Sequence, residues 1–170
     1  MRQSPVEFMS IRIVPFSDEY TPGVKDLIVP IQRDEFGIEI TYDDQPDLHD
    51  IPAFYRKGCG DFWIAIHDDE IVGSIALVDI GSGQAALPKM FVKETFRGGE
   101  HGVAKRLLET LVAHAHRKGV RDIFLGTTSK FLAAHRFYEK MGFDLVDEKE
   151  LPKNFPRMAV DTRFYVRRFT

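Results

Sequence analysis

The chain has 170 residues, 44% of them hydrophobic and 29% charged, with a formal net charge of -3 at pH 7. That length suits a single domain over residues 1–170, and the charge offers no basic excess for binding nucleic acid. No apolar run approaches the roughly 20 residues that cross a bilayer, and Met1 to Pro5 leads into no apolar secretory segment. Cys59 is the only cysteine, so no internal disulfide forms, and its place between Gly58 and Gly60 suits a small loop residue better than a nucleophile. Together these features predict a cytoplasmic protein with no membrane partner.

Residues 10–16 (SIRIVPF) alternate apolar and polar side chains, as a first strand does. Residues 21–36 open with Pro22 at a helix start and space Val24, Leu27, Ile28 and Ile31 along one face; Pro30 should kink or divide that helix. The stretch 37–51 reads as loop, with a short second helix over 51–55. Residues 61–67 (DFWIAIH) and 71–79 (IVGSIALVD) predict a hairpin around Asp68, Asp69 and Glu70. A second turn, Gly81-Ser82-Gly83, leads into 84–92 (QAALPKMFV), where Pro88 forbids one ladder hydrogen bond and predicts a bulge or a strand edge.

The hydrophobic period then changes. Val103, Leu107, Leu108, Leu111, Val112 and Ala115 share one helical face, with Gly119 placed as the C-terminal cap. Residues 122–126 (DIFLG) read as a buried strand. Residues 130–141 read as a helix capped by Thr128 or Ser129 and closed by Gly142. Residues 143–146 and 160–167 are final strands, separated by the proline-bearing loop 151–158. Hairpins interrupted by a crossover helix predict a mixed α/β (α+β) sheet with helices on its faces.

The segment 96–108 (FRGGEHGVAKRLL) joins a strand to a helix and carries Gly98, Gly99 and Gly102. Glycine lets the backbone turn sharply and present successive N–H groups to an anion, and the unpaired N–H groups of the helix start add a positive dipole end. A diphosphate suits such a turn; an ordinary glycine-rich connection with helix capping is the competing reading. The spacing is neither that of a P-loop nor that of a dinucleotide fingerprint.

This segment resembles the GNAT superfamily of N-acetyltransferases, whose R/Q-x-x-G-x-G/A turn holds the pyrophosphate of coenzyme A. The chain reads Gly99-Glu100-His101-Gly102-Val103-Ala104 there: Gly102 and Ala104 match the last two key positions. Gly99 stands where arginine or glutamine belongs, and Arg97 lies two residues earlier. Upstream, Lys89-Met90-Phe91-Val92 looks like the family's fourth strand, whose main chain pairs with the pantetheine arm. Downstream, Ala134 through Phe143 is similar to the family's A-x-x-x-Y-E-K-x-G-F, with Phe131 where the family usually has asparagine. The match spans residues 87–143.

The resemblance implies a mostly antiparallel central sheet flanked by helices, with splayed fourth and fifth strands. It also implies acetyl-coenzyme A as acetyl donor, with no metal. Cofactor contacts would come from Met90, Phe91, Val92, Arg97, Gly98, Gly99, Glu100, His101, Gly102, Val103, Ala104, Phe131, Ala134 and Tyr138. A main-chain N–H near Phe91 would face the thioester carbonyl. Tyr138, by carry-over of the family tyrosine, would be the general acid toward the leaving thiolate. A phenol near 10 and a thiol near 8.5 make hydrogen bonding to that sulfur at least as suitable as full proton transfer. For a base, Lys89, Glu94, Glu100 and His101 lie near the site in sequence, as does the option of a water chain, and none is singled out.

Residues 34–50 contain seven acidic side chains and no lysine or arginine. In the family this loop borders the acceptor, so Phe36, Tyr42 and Asp43 are candidates for binding a small-molecule or peptide amine; a solvated acidic loop is the alternative. Phe155-Pro156 suits a second, rigid wall. His67, His114 and His116 show no metal-binding spacing. The expected function is acetyl transfer to a primary amine by direct attack; the alternative is a non-catalytic acyl-coenzyme A binding or sensing module. An edge formed by residues 160–167 would allow a homodimer.

Overall fold

The computed structural model describes residues 11–98, 102–129 and 132–169. In chain order these form β1 (Arg12–Pro15), α1 (Thr21–Pro30), the short helices α2 (Pro46–His49) and α3 (Ile51–Tyr55), β2 (Asp61–His67), β3 (Glu70–Gly81), β4 (Gln84–Ala86) and β5 (Phe91–Val92). Then come α4 (Val103–Arg117), β6 (Asp122–Thr127), α5 (Leu132–Lys140), β7 (Asp144–Val146) and β8 (Arg163–Arg168). The strands make one sheet in the order β1-β2-β3-β4-β6-β8-β7, with β5 also on β3. Every pairing is antiparallel except β4 with β6. The mostly antiparallel mixed sheet is therefore the one expected. Among the described residues, no helix is long and apolar enough to cross a membrane.

Strand alternation sorts β2 between two cores. Phe62, Ile64 and Ile66 point to the layer of α1–α3, where they meet Val24, Leu27, Ile28, Leu48, Ile51 and Tyr55. Trp63 and Ala65 point the other way, toward Val103, Leu107 and Leu111 of α4 and Tyr138 of α5. The β2–β3 connection is a two-residue turn in which Asp68 and Asp69 both have positive φ, 46° and 64°. That conformation matches the twist of the hairpin, and aspartate tolerates it.

Pro30 shapes the first helix as its chemistry requires. Having no N–H and a ring that crowds the preceding turn, it ends α1, and the chain continues as one widened π-turn over Ile31–Glu35, closed by the Phe36 N–H to the Ile31 carbonyl at 3.0 Å.

The segment after the Gly81–Gly83 turn carries the feature that matters most for function. Val78 pairs with Ala86 and Ser74 with Phe91, so three residues of β3 face four residues of the returning strand. The extra residue makes a β-bulge at Pro88, the place where the missing N–H predicts one. Lys89 sits there at φ 60°, and its carbonyl accepts from Ser74 Oγ at 2.7 Å. A bulge turns the strand, and β4 pairs with β6 only from Gln84–Asp122 to Ala86–Phe124, plus the Leu87 N–H to the Phe124 carbonyl. Beyond that point the two strands part, which is the splay implied by the resemblance.

One expectation is corrected. Residues 160–167 are not an edge: β8 lies between β6 and β7, paired on both sides, and the edge is β7. The chain's last strand can insert there because the loop before it returns across the sheet, a long-range placement that local pattern does not encode.

Candidate active site

The parting of β4 and β6 opens a cavity of about 250 Å³. Its walls are the bulge (Pro88, Lys89, Met90), the open end of β6 (Gly126, Thr127), Ala134 and Tyr138 of α5, Phe36 after the π-turn, and the loop carrying Phe155 and Pro156. A larger hollow of about 620 Å³ lies between α1 and the β2–β3 turn. Neither Tyr138 nor the bulge reaches it, so the candidate residues gather at the smaller cavity.

At the helix start, Gly98 and Gly102 adopt φ 99° and 64°, and a Cβ at either position would meet none of the described residues within 4 Å. The left-handed φ selects glycine, and the empty surroundings leave bare backbone for a ligand. Gly102 is the N-cap residue of the 15-residue α4, whose first N–H groups have no intrahelical partner. Val103 is buried in the core and Ala104 is half-buried, so the contribution of both to an anion is main-chain N–H. This arrangement fits a diphosphate. Gly102→Ala should cost about 1 kcal/mol of stability by forcing a side chain into the left-handed region, and it should weaken acetyl-coenzyme A binding in a calorimetric titration.

Arg97 is engaged elsewhere. Its Nη2 pairs with Glu35 at 2.7 Å and its Nε donates to the Val92 carbonyl at 2.8 Å, stitching the turn to the end of the π-turn. A phosphate drawing on this guanidinium would compete with Glu35. Gly99, Glu100, His101 and Phe131 lie outside the described residues.

Tyr138 projects from α5 into the cavity wall with 9% of its surface exposed. Its hydroxyl donates to Met90 Sδ at 3.6 Å, which puts the phenol directly beside the bulge. Burial pushes its pKa up to about 12. The site therefore raises the phenol rather than lowering it, because among the described residues nothing cationic stands close enough to offset desolvation. Relative to a thiol near 8.5, complete proton transfer to the leaving sulfur is uphill by about 5 kcal/mol. The geometry suits a hydrogen-bond donor better than a full acid.

The same burial has a stability consequence. An unfolded phenol titrates near 10, so between about pH 10 and 12 the folded chain keeps a proton the unfolded chain has lost. Stability should fall as pH rises through that window. Tyr55, also raised by burial and by Asp47, adds to it, and Tyr138→Phe should flatten the alkaline limb in chemical denaturation followed against pH.

Lys89 enters the cavity from the bulge but is not free. Its Nζ donates to Gln45 Oε1 at 2.6 Å and pairs with Asp47 at 3.5 Å, and Asp47 also accepts from the Tyr55 hydroxyl at 2.5 Å. Gln45 exchanges two side-chain hydrogen bonds with the buried Gln32. Burial lowers the Lys89 pKa, opposed by Asp47. This network pins the acidic loop to the bulge and makes Lys89 a structural cation rather than a proton acceptor. Glu94 is exposed and lines the other hollow.

Phe36 lines the cavity, tilted against Phe91 with ring centroids 6.1 Å apart. Tyr42 and Asp43 do not. Tyr42 lies under Lys25, stacks on His49 at 4.0 Å and donates to the Leu48 carbonyl, while Asp43 faces solvent beside His49. The loop folds on itself there, so only its start lines the cavity, while Gln45 and Asp47 touch the wall through Lys89. Met90 lines the cavity, and β5 offers the edge opposite β3, to which no described strand pairs.

Residues 25–143 match the sequence profile of the acetyltransferase (GNAT) family. The chain belongs to the GNAT family. Over 106 residues this GNAT chain is 36% identical to the N-acetylaspartate synthetase of Danio rerio, covering 61% of this chain and 37% of that protein. It thus spans little more than a third of the length of that relative. The fold superposes on a GNAT-family acetyltransferase from Staphylococcus aureus Mu50 with a TM-score of 0.86 at 36% identity, over 94% of this chain and 99% of that one. An N-acetyltransferase from Thermoplasma acidophilum, solved in complex with coenzyme A, gives a TM-score of 0.73 over 95% of this chain and 100% of that one; at 16% identity the likeness concerns the fold.

Proposed function

We propose that this GNAT chain moves an acetyl group from acetyl-coenzyme A to a primary amine by direct attack. The observation that carries the reading is the position of Tyr138. Its hydroxyl lies beside the bulge, where β4 and β6 part and where the cavity opens toward the acceptor-side loops. The pyrophosphate would sit on the N–H groups around Gly102, and the pantetheine arm along the open edge of Phe91–Val92. The acetyl group would then lie in the gap beside Tyr138. A bound donor supplies an activated thioester carbonyl. Main-chain N–H groups at the bulge would polarise it, and the Tyr138 hydroxyl would steady the sulfur as the C–S bond breaks.

The test has two stages. Calorimetric titration with acetyl-coenzyme A should show binding, and thiol release should follow when a panel of small and peptide amines is added. Absence of binding at tens of micromolar donor would sink the reading. Binding without thiol release for any amine would favour the non-catalytic acyl-coenzyme A module instead.

A further inference from the structure

We propose that Asp161 is the acceptor-side carboxylate of this cavity: it holds the incoming amine as its ammonium and accepts a proton from that nitrogen as the C–N bond forms. This rests on the acetyl-transfer reading above. Asp161 lies just before β8 and lines the same cavity as Tyr138 and Met90. Among the described lining residues only Lys89 and Asp161 are charged, and Lys89 is already committed to Asp47 and Gln45. Asp161 is half-buried, and among the described residues its carboxylate has no cationic partner. It accepts a single hydrogen bond there, from the Met158 N–H to Oδ2 at 3.2 Å.

The opposite strand is shaped to admit this group. Gly126 stands inside β6, where glycine weakens a strand. A Cβ at that position would sit 2.7 Å from Asp161 Oδ2 and 2.8 Å from its Cγ. The carboxylate is therefore seated directly over the β6 backbone, in the stretch beyond the last β4–β6 pair. Met158 and Val160, at the mouth, are 49% and 45% exposed, which leaves a route for an amine from solvent.

The proton inventory suits a carboxylate. A primary ammonium, near 10.4 in water, loses one proton to solvent before it can attack. When the nitrogen lone pair bonds to the carbonyl carbon, the remaining N–H protons become strongly acidic and one passes to Asp161. The C–S bond then breaks with its electron pair on sulfur, steadied by the Tyr138 hydroxyl and later protonated by water, while Asp161 returns its proton to solvent through the open mouth. Burial raises the Asp161 carboxyl above its ordinary value, opposed by the Met158 hydrogen bond. That shift makes it a better proton acceptor.

The competing role is structural, since the Met158 hydrogen bond closes a short turn. Asp161→Asn separates the two, because the amide oxygen can accept the same N–H but can neither take a proton nor neutralise an ammonium. The experiment measures thiol release by wild type, Asp161→Asn and Asp161→Glu with butylamine, phenethylamine, 1,4-diaminobutane, lysine, aspartate and an alanine-led tripeptide, together with Tm and the acetyl-coenzyme A affinity. For the best acceptor, Asp161→Asn should lower kcat/KM by about 10²-fold, with Tm equal to or above wild type and donor affinity unchanged. Asp161→Glu should recover part of the loss. Wild-type turnover with Asp161→Asn unchanged overturns the inference and leaves acetyl transfer standing. A Tm lower by more than about 3 °C assigns the residue a structural role and overturns it too. No turnover by wild type on any amine overturns the acetyl-transfer reading, and the inference falls with it.

Discussion

Tyr138→Phe should lower kcat by about 10²-fold while leaving the acetyl-coenzyme A dissociation constant within about twofold. The hydroxyl has one described partner, the thioether of Met90 at 3.6 Å, a weak acceptor whose loss costs little. The ring itself packs against Phe143 and Tyr165 through contacts phenylalanine retains. Folding and donor binding should therefore survive, and whatever changes in turnover reports on the hydroxyl alone. With the phenol pushed up to about 12, its proposed contribution is a hydrogen bond that would strengthen as negative charge gathers on sulfur. Such a bond acts in the transition state and not on the bound donor. Thiol-release kinetics beside calorimetry measure both quantities. An unchanged kcat would remove Tyr138 from the mechanism.

The largest stability effect is expected at Asp47. Replacing it with alanine should cost about 3–5 kcal/mol in urea denaturation. The mutation leaves the Lys89 ammonium, 14% exposed, without its counter-charge, and the Tyr55 hydroxyl without its acceptor. Burial lowers the Lys89 pKa, opposed by the attraction of Asp47. Because both charges are largely withdrawn from water, removing the two together should be far milder than removing one. Lys89→Met combined with Asp47→Asn should return most of the lost stability. A loss below about 1 kcal/mol for Asp47→Ala would mean that the pair is solvated and behaves as a surface salt bridge. Because Lys89 belongs to the bulge and Asp47 to the acceptor-side loop, weaker acetyl transfer in the double variant would measure how far this tie positions the two walls of the cavity.

Much of the fold was legible in the chain. The β2–β3 hairpin follows from two alternating runs around Asp68-Asp69, the broken first helix from Pro30, and the bulge from Pro88. The left-handed turn before α4 follows from Gly98 and Gly102. These features are local: each depends on backbone chemistry within a few residues, where a missing N–H or an absent Cβ leaves few conformations open. Tyr138 was legible for a different reason, since it belongs to a motif whose spacing resembles a known family.

The rest required the folded chain. Arg97 looked like a phosphate ligand, yet Glu35, 62 positions away, claims its guanidinium. Tyr42 and Asp43 lie in the same acidic loop as Asp47, and of the three only Asp47 touches a residue of the cavity wall, through its ion pair with Lys89. Asp161 carried no signal at all: it precedes a strand in a proline-rich stretch, and its partner in the site is the absence of a side chain at Gly126. The one clue would have been a glycine inside a strand, which commonly marks a close approach without saying by what. Residues 160–167 likewise looked like an edge because strand order is a property of the whole sheet.

By itself, then, the sequence determined most of the elements, the bulge, the glycine turn before α4 and the family, because period, proline and glycine act through short-range sterics and hydrogen bonding. Only the tertiary structure decided which charges are already paired and which carboxylate faces Tyr138's cavity. Those choices depend on distances between segments far apart in the chain, and on which groups burial deprives of water.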